Sequence, residues 1–480
     1  MSKSLLKNSI FKTILTICNT IIPIIVGPYV LRILSTESYD VYTKFNADFQ
    51  FFLVLGALGI YNYGVREISK IRYDKEKCSK FFSEMFIIGV VSNIVVALIY
   101  SGYALFSSAS ASEKILKLVF ALQFISNVFN FEWLNEGRED YLFIAVKSIF
   151  VRVLYLALIF LLVKRTDDVL IYALLTIGSV VLNSLLSFIY VKRDVKFTLK
   201  GLTFKHHLKP LLFIFVIANV ALLYTQLDKI LLGNLVSEHS VAVYQIPHFI
   251  SGIIYSVIIS VVVVSLPRFS YVYANEGKER FLELYKKIYS AFSMLFLPCV
   301  IGMICLSREI VILYGSDKWL DCAVPLALFS VAQVFGALMY LLGDALLFVC
   351  GYEKNLVIFN AFGGVINLVA DLILYAFNVF TAETAICSLT LSYIVASLLC
   401  YLFARKKLDI KVKLIDKSFL IYLLISLLFI PIYLAFRFTI ASVILRAGLT
   451  ICACALLYFV LLILLKDKNA KALINKILKR

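Results

Sequence analysis

The chain has 480 residues, of which 62% are hydrophobic and 16% charged, against about 45–50% apolar and about 25% charged in a soluble domain. Apolar runs of about 20 residues follow one another with short connections, so the chain reads as a polytopic membrane protein with no room for a separate soluble domain. The net charge of +17 would suggest nucleic acid in a soluble chain; in one this apolar the basic residues orient helices, and no nucleic-acid partner is expected.

About fourteen transmembrane helices are predicted, giving an all-α fold, at roughly 10–34, 44–65, 81–103, 115–134, 141–163, 168–191, 210–235, 241–266, 288–314, 322–350, 355–378, 383–404, 418–437 and 444–465. The first run is too long for the core of a cleavable signal and has no small-residue cleavage site after a short core. An even number of spans puts both termini on one side. Alternate connections hold 36 Lys and Arg against 10 on the other side, with the densest runs at Arg66 to Lys80, Lys192 to Lys209, Arg268 to Lys287 and Arg405 to Lys417. Positive residues stay inside, so a multi-pass membrane protein with both termini cytoplasmic is expected.

Two stretches read as helices lying on an anionic leaflet. Glu276 to Tyr289 sets Phe281, Leu282 and Tyr285 on one face and lysines on another. In the tail, Leu473, Ile474, Ile477 and Leu478 form an apolar stripe flanked by Lys471, Lys476 and Lys479. The ten cysteines are scattered, mostly inside apolar runs, and none has zinc or disulfide-framework spacing; they read as small apolar residues. No cofactor and no metal site is expected.

The chain contains a weak internal repeat. LRILSTESYDVY (Leu31 to Tyr42) parallels LGNLVSEHSVAVY (Leu232 to Tyr244). Leu34 and Glu37 match Leu235 and Glu238 at an offset of 201, and Val41, Tyr42 and Arg66 match Val243, Tyr244 and Arg268 at 202. Six spans precede residue 200 and six more precede residue 405. An even number per half gives parallel repeats about an axis along the membrane normal, the plan of transporters that bind substrate between halves and rock around it. The expected domains are an N-terminal six-helix bundle at 1–200, a second at 201–405, and two additional helices with a basic tail at 406–480.

The segments LLKNSIFKTILTICNTIIPIIVGPYVLRILSTESYDVY, GIYNYGVREISKIR, FEWLNEGREDYLFIAVKSIFVRVL and YTQLDKILLGNL, with Pro267-Arg268, occur in an order and spacing that resembles the polysaccharide-export branch of the multidrug/oligosaccharidyl-lipid/polysaccharide (MATE-like) superfamily, and within it the Wzx-type flippases. The resemblance runs along most of the chain. It implies two six-helix bundles around a central cavity and a polyprenyl-pyrophosphate-linked oligosaccharide of O-antigen or capsule type as substrate. It also implies movement of that substrate from the inner to the outer leaflet, with a polymerase and other polysaccharide-assembly proteins as possible partners besides the membrane lipids. EWLNEG departs from the Trp-Leu/Phe-x-x-Gly-Leu-Glu pattern of many relatives and receives no role.

No nucleotide-binding, zinc-protease or dinucleotide motif is present, and the chain is not read as an enzyme. A pyrophosphate head group needs a wet, positively charged path with polar and aromatic side chains for the sugars. Candidates at or within spans are Lys12, Arg32, Arg66, Lys147, Arg152, Lys229 and Arg268. Arg66 and Arg268 either clamp a pyrophosphate with bidentate bonds or mark helix ends. Tyr61, Asn62 and Tyr63 either meet sugars or anchor an interface. Asp228 and Lys229 are adjacent, about 100° apart on a helix, so they need not pair: either one or both line a cavity, or Asp228 bonds across to another helix and Lys229 snorkels outward. Asp228, Asp48, Glu84, Asp344 and Asp371 are in-span acids that either bind a coupling ion or balance a base. His248 reads as structural.

Two rival functions fit less well. An exporter of small cationic drugs wants an acidic cavity, whereas the candidates here are mainly basic. A membrane-embedded polymerase or glycosyltransferase wants a large outer loop with carboxylates, and every outer loop is short. The charge bias generates a prediction: in a chain freed of native cysteines, single cysteines at Lys77, Lys200 and Lys411 are shielded from an impermeant thiol reagent in intact cells, and those at Ser110, Asp167 and Ser237 are labelled. Labelling of the first group would reverse the orientation.

Overall fold

A computed structural model describes residues 2–107, 110–219, 222–410 and 413–472. All regular structure among the described residues is helical. Eleven helical stretches there are long and apolar enough to cross a membrane. Of the remaining three expected spans, the first is represented by a shorter apolar helix, Cys18–Ile33. The second overlaps the helix Thr36–Ala57, which carries Glu37, Asp40, Lys44 and Asp48, and the seventh falls on two shorter helices. Many apolar side chains stay exposed in stripes, such as Val91, Ile94, Val95 and Leu98 or Ile358, Phe362, Val365 and Val369. A helix apolar on its outer face as well as its inner one has hydrocarbon, not water, as its surroundings. The protein is a polytopic all-α membrane protein.

The chain forms two compact units, Met1–Leu222 and Leu223–Arg480. The first contains α1 (Ser2–Ile33), α2 (Thr36–Ala57), α3 (Ile60–Ile71), α4 (Lys75–Phe106), α5 (Ala111–Ala121), α6 (Gln123–Val128), α7 (Glu132–Gly137), α8 (Tyr141–Leu162), α9 (Val169–Val191) and α10 (Lys205–Asn219). The second begins within α11 (Leu222–Leu235) and holds α12 (Glu238–Val263), α13 (Leu266–Asn275), α14 (Lys278–Cys305), α15 (Ser307–Gly315), a 3-10 turn at Asp317–Cys322, α16 (Ala323–Leu342), a π-helical turn at Gly343–Phe348, α17 (Glu353–Ala376), α18 (Ala382–Lys407), α19 (Lys417–Leu427), α20 (Phe429–Thr439) and α21 (Val443–Leu464).

The repeat is visible in local structure. Ser35 caps α2 by accepting the Ser38 N–H at 3.2 Å, and Ser237 caps α12 by accepting the Ser240 N–H at 3.1 Å. The two caps fix the register at an offset of 202, the same as for Tyr42/Tyr244 and Arg66/Arg268. In each unit the capped helix breaks near its end and a short helix follows, α3 or α13, before the long α4 or α14. The first break sits at Leu58 and Gly59, both at positive φ. A Cβ on Gly59 would lie 3.0 Å from the backbone nitrogen of Phe215 in α10, so only glycine serves there.

A second echo follows α9 and α18. In the first unit the segment after α9 is strapped along the start of α4: Lys196 N–H donates to Ser79 Oγ at 3.2 Å and Thr198 N–H to Ser83 Oγ at 2.9 Å. In the second, Lys278 Nζ donates to Leu408 O at 2.6 Å and the Tyr289 hydroxyl to Leu414 O, fastening the segment after α18 to α14. Backbone leaving a span has unpaired donors and acceptors, and the neighbouring helix start supplies their partners.

The structure corrects one reading of an amphipathic surface helix. Glu276 to Tyr289 does not lie apart as an interfacial helix: α14 begins at Lys278 and runs on as the membrane helix. Phe281 and Tyr285 are fully buried against Phe269, so the apolar stripe faces protein rather than lipid. The tail stripe at Leu473 to Lys479 lies outside the described residues.

The last helices are pinned by a buried ion pair. Glu309 of α15 is fully buried and accepts from Arg446 Nε of α21 at 2.7 Å and from the Tyr433 hydroxyl of α20 at 3.2 Å. Removing one partner of such a pair strands the other charge, at roughly 3–5 kcal/mol. Arg446→Ala should therefore lower the thermal unfolding midpoint of the purified protein sharply, and Glu309→Leu with Arg446→Leu should recover most of it. A single variant as stable as the parent would show that the pair does not hold α20 and α21.

Candidate functional site

The second unit holds a cluster of buried polar side chains from four helices. On α17, Asn367 and Asp371 are four residues apart and share one face; on α18, Ser388 and Ser392 do the same. Asp228 of α11 and Tyr244 of α12 complete the group. Asp228, Asn367 and Ser392 are fully inaccessible, and Asp371 and Ser388 nearly so. Asp228 Oδ2 accepts from the Tyr244 hydroxyl at 2.5 Å, and its Oδ1 accepts from Asn367 Nδ2. Asn367 Oδ1 accepts from Ser388 and Ser392 at 3.4 Å each, and Ser388 also donates to Asp371 Oδ1.

The Asp228 and Asp371 carboxyls face one another, while Asp371 Oδ2 makes no hydrogen bond among the described residues. Two carboxylates side by side in such a place do not both stay ionised and unneutralised; a shared proton or a bound cation resolves the repulsion. Among the described residues, Lys229, half-buried, makes no ion pair with either carboxyl. Asp228 is held instead by Tyr244 and Asn367, and the two neighbours leave their helix in different directions.

The first unit holds two other clusters. Lys147 of α8 is buried and ion-paired with Glu132 of α7, whose Oε2 also accepts from Ser187 at 3.1 Å; Asn135 in turn donates to Ser187 at 2.8 Å. Next to it, the Tyr61 hydroxyl donates to Glu136 Oε2 at 2.5 Å. The segment Glu132–Gly137, given no role from sequence, is thus the anchor for Lys147 and Tyr61. At the start of α4, Glu84 is buried and lies 2.9 Å from His207 Nε2, while the Tyr63 hydroxyl lies 2.8 Å from His207 Nδ1. Burial pushes the His207 imidazole below its ordinary value against the pull of Glu84, which leaves the ring neutral at neutral pH.

The other sequence candidates stand apart from these clusters. Arg66 is exposed on α3, 5.4 Å over the Tyr63 ring, and pairs with Glu67 at 2.9 Å. Burial alone would raise Glu67, but its bonds to Lys70 and Arg66 outweigh that and hold the carboxylate below its usual range. Arg268 is exposed on α13, and Arg32 and Asn62 are exposed as well. Arg152 is half-buried on α8. Asp48 is buried and accepts from the Tyr103 hydroxyl at 3.1 Å. Asp344 is half-buried in the π-helical turn. The Lys12 side chain lies outside the described residues. Sequence reading named Asp228 and Asp371 separately and missed Asn367, Ser388, Ser392 and Tyr244. The available signal was the four-residue spacing of polar residues within two apolar spans.

A family model for polysaccharide biosynthesis proteins matches residues 5–272. A candidate O-antigen transporter of Escherichia coli (strain K12) is 20% identical over 166 residues, 35% of this chain and 40% of that relative, so the match spans less than half of the relative's length. Among solved structures, the lipid II flippase MurJ in an inward closed conformation superposes with a TM-score of 0.73 over 98% of this chain and 100% of its own, at 15% identity. An inward-facing multidrug resistance transporter of the MATE family gives 0.62 over 81% and 94%, at 17% identity. Those identities show a common fold. The family match covers more than half of the residues, and the chain belongs to the polysaccharide biosynthesis protein family.

Proposed function

We propose that this protein is a flippase that carries a polyprenyl-pyrophosphate-linked oligosaccharide repeat unit, of O-antigen or capsule type, from the inner to the outer leaflet of a bacterial plasma membrane by alternating access, its orientation following the basic connections. Family membership and fold support a transporter of lipid-linked sugars. The observation that carries the mechanism is the buried cluster of Asp228, Asn367, Asp371 and Ser388.

An ionisable group in a membrane span costs about 2.5–3.5 kcal/mol on insertion scales, and this protein keeps two together. A transported proton or monovalent cation held by the two carboxyls, Asn367 Oδ1 and the Ser388 hydroxyl cancels one of their two charges and removes their mutual repulsion. Loss of the ion restores their repulsion and loosens α11 and α12 from α17 and α18. Binding free energy for the ion thereby becomes a bias between two conformations. Lys229, which makes no ion pair among the described residues, serves the anionic head group as a point charge; Arg66 in the first unit and Arg268 in the second each offer a planar fork to a pyrophosphate. Tyr61, held by Glu136, and Asn62 are exposed and contribute polar surface for the sugars, and Arg32 and Arg152 add positive charge along the path. The released repeat unit passes to a polymerase.

In proteoliposomes bearing a labelled lipid-linked oligosaccharide, sodium and proton gradients should be tested separately. Asp228→Asn and Asp371→Asn should each cut gradient-driven flipping roughly 5- to 150-fold, the span of a coupling free energy of about 1–3 kcal/mol, with protein level unchanged. Gradient-driven flipping at the parental rate in both would remove the cluster from coupling, and export of a cationic drug without flipping would replace the substrate assignment.

For the head-group contacts, Lys229→Ala should stop polymer export by folded protein while Lys229→Arg keeps part of it. Arg66→Lys and Arg268→Lys should each impair export, because Lys keeps the charge but loses the bidentate fork. Normal export from the double Lys variant would leave the arginines as helix-end charges, and full export from Asp228→Ala with Lys229→Ala would make that pair structural.

A further inference from the structure

Glu84, His206 and His207 bring one carboxylate oxygen and two imidazole nitrogens within 4.8 Å of one another. They come from the start of α4 and the start of α10, 122 residues apart in the chain. We propose that these three side chains bind a divalent transition ion of the zinc class, through Glu84 Oε2, His207 Nε2 and one ring nitrogen of His206, with a fourth position open to solvent beside His206.

Ligand separation supports it. His207 Nε2 and Glu84 Oε2 are 2.9 Å apart, whereas a tetrahedral ion with bonds of about 2.0–2.2 Å needs neighbouring ligand atoms about 3.3 Å apart. The pair has to open by only a few tenths of an ångström. His206 is exposed, with its ring centroid 3.7 Å from that of His207, so the third ligand can turn without disturbing the interior.

The outer partners of both buried ligands are already in place. Thr203 donates its N–H at 2.8 Å and its hydroxyl at 3.2 Å to Glu84 Oε1, leaving Oε2 to face the ion. Tyr63 Oη lies 2.8 Å from His207 Nδ1. With no ion, the His207 proton sits on Nε2 and is donated to Glu84, and the Tyr63 hydroxyl donates to Nδ1. With an ion on Nε2, that proton moves to Nδ1 and is donated to Tyr63 Oη, whose hydroxyl turns away; His207 neither gains nor loses a proton. Such outer partners orient ligating imidazoles and carboxylates. Two imidazoles and one carboxylate favour zinc, nickel or copper over magnesium or calcium.

The test uses the tag-free full-length chain in detergent. Cobalt titration followed by visible d–d absorption, and zinc competition against it, should give one ion per chain, with magnesium ineffective. Zinc should raise the thermal unfolding midpoint of the parent. His206→Ala changes an exposed side chain and should fold as the parent does; it should weaken zinc binding about tenfold or more and abolish the zinc-dependent rise. Glu84→Gln should weaken binding similarly. Absence of saturable one-to-one binding, or binding unchanged in His206→Ala, would overturn the proposal.

Discussion

A polar group at the depth of hydrocarbon has no water to turn to, so the protein itself must satisfy it. The buried charges of this chain obey that constraint in several ways. Glu309 meets Arg446 and Tyr433, and Lys147 meets Glu132 and Ser187. Glu84 meets His207 and Thr203. Asp228 and Asp371 stand out because their hydrogen-bond partners are neutral side chains. An acid pair answered by hydroxyls and an amide differs in this from the Glu309–Arg446 and Glu132–Lys147 pairs, each of which carries its own counter-charge.

The same constraint shapes the repeat. Helix ends expose backbone N–H and C=O groups, and both units deal with them alike. A serine caps the second helix of each, and the segment leaving the sixth span is fastened along the start of the third. These devices sit where backbone is otherwise unpaired, so they can persist while the apolar sequence around them drifts. This explains why the two units look alike in local structure when few residues match.

Apolar surface does the rest. Stripes such as those on α4 and α17 face outward, and clusters of aromatic residues turn inward: Phe49, Tyr100, Phe120 and Phe124 in the first unit, and Phe269, Phe281 and Tyr285 in the second. In a bilayer no hydrophobic effect drives helices together, so close packing and hydrogen bonds carry the association. Gly59 against Phe215 in α10 and Gly64 against Trp133 in α7 are places where a side chain would keep helices apart.

Hydropathy and charge alone were enough to class the protein as a polytopic all-α membrane protein, because the bilayer reads a helix one span at a time and each span needs only its own residues to be legible. The resemblance in Leu5 to Tyr42 and later segments pointed to the polysaccharide-export branch, and the family match over residues 5–272 agrees with it. What sequence left open was partnership. Asp228 reads as the neighbour of Lys229, but a helix turns them about 100° apart, and its bonding partners are Tyr244 and, 139 residues away, Asn367. Phe281 and Tyr285 read as a lipid-facing stripe, and only packing against Phe269 turned them into core. Glu84 and His207 gave no sign of each other across 123 residues. Side-chain type fixes what a residue can bond to; which bond forms depends on which helices lie side by side, and that is decided by tertiary structure alone.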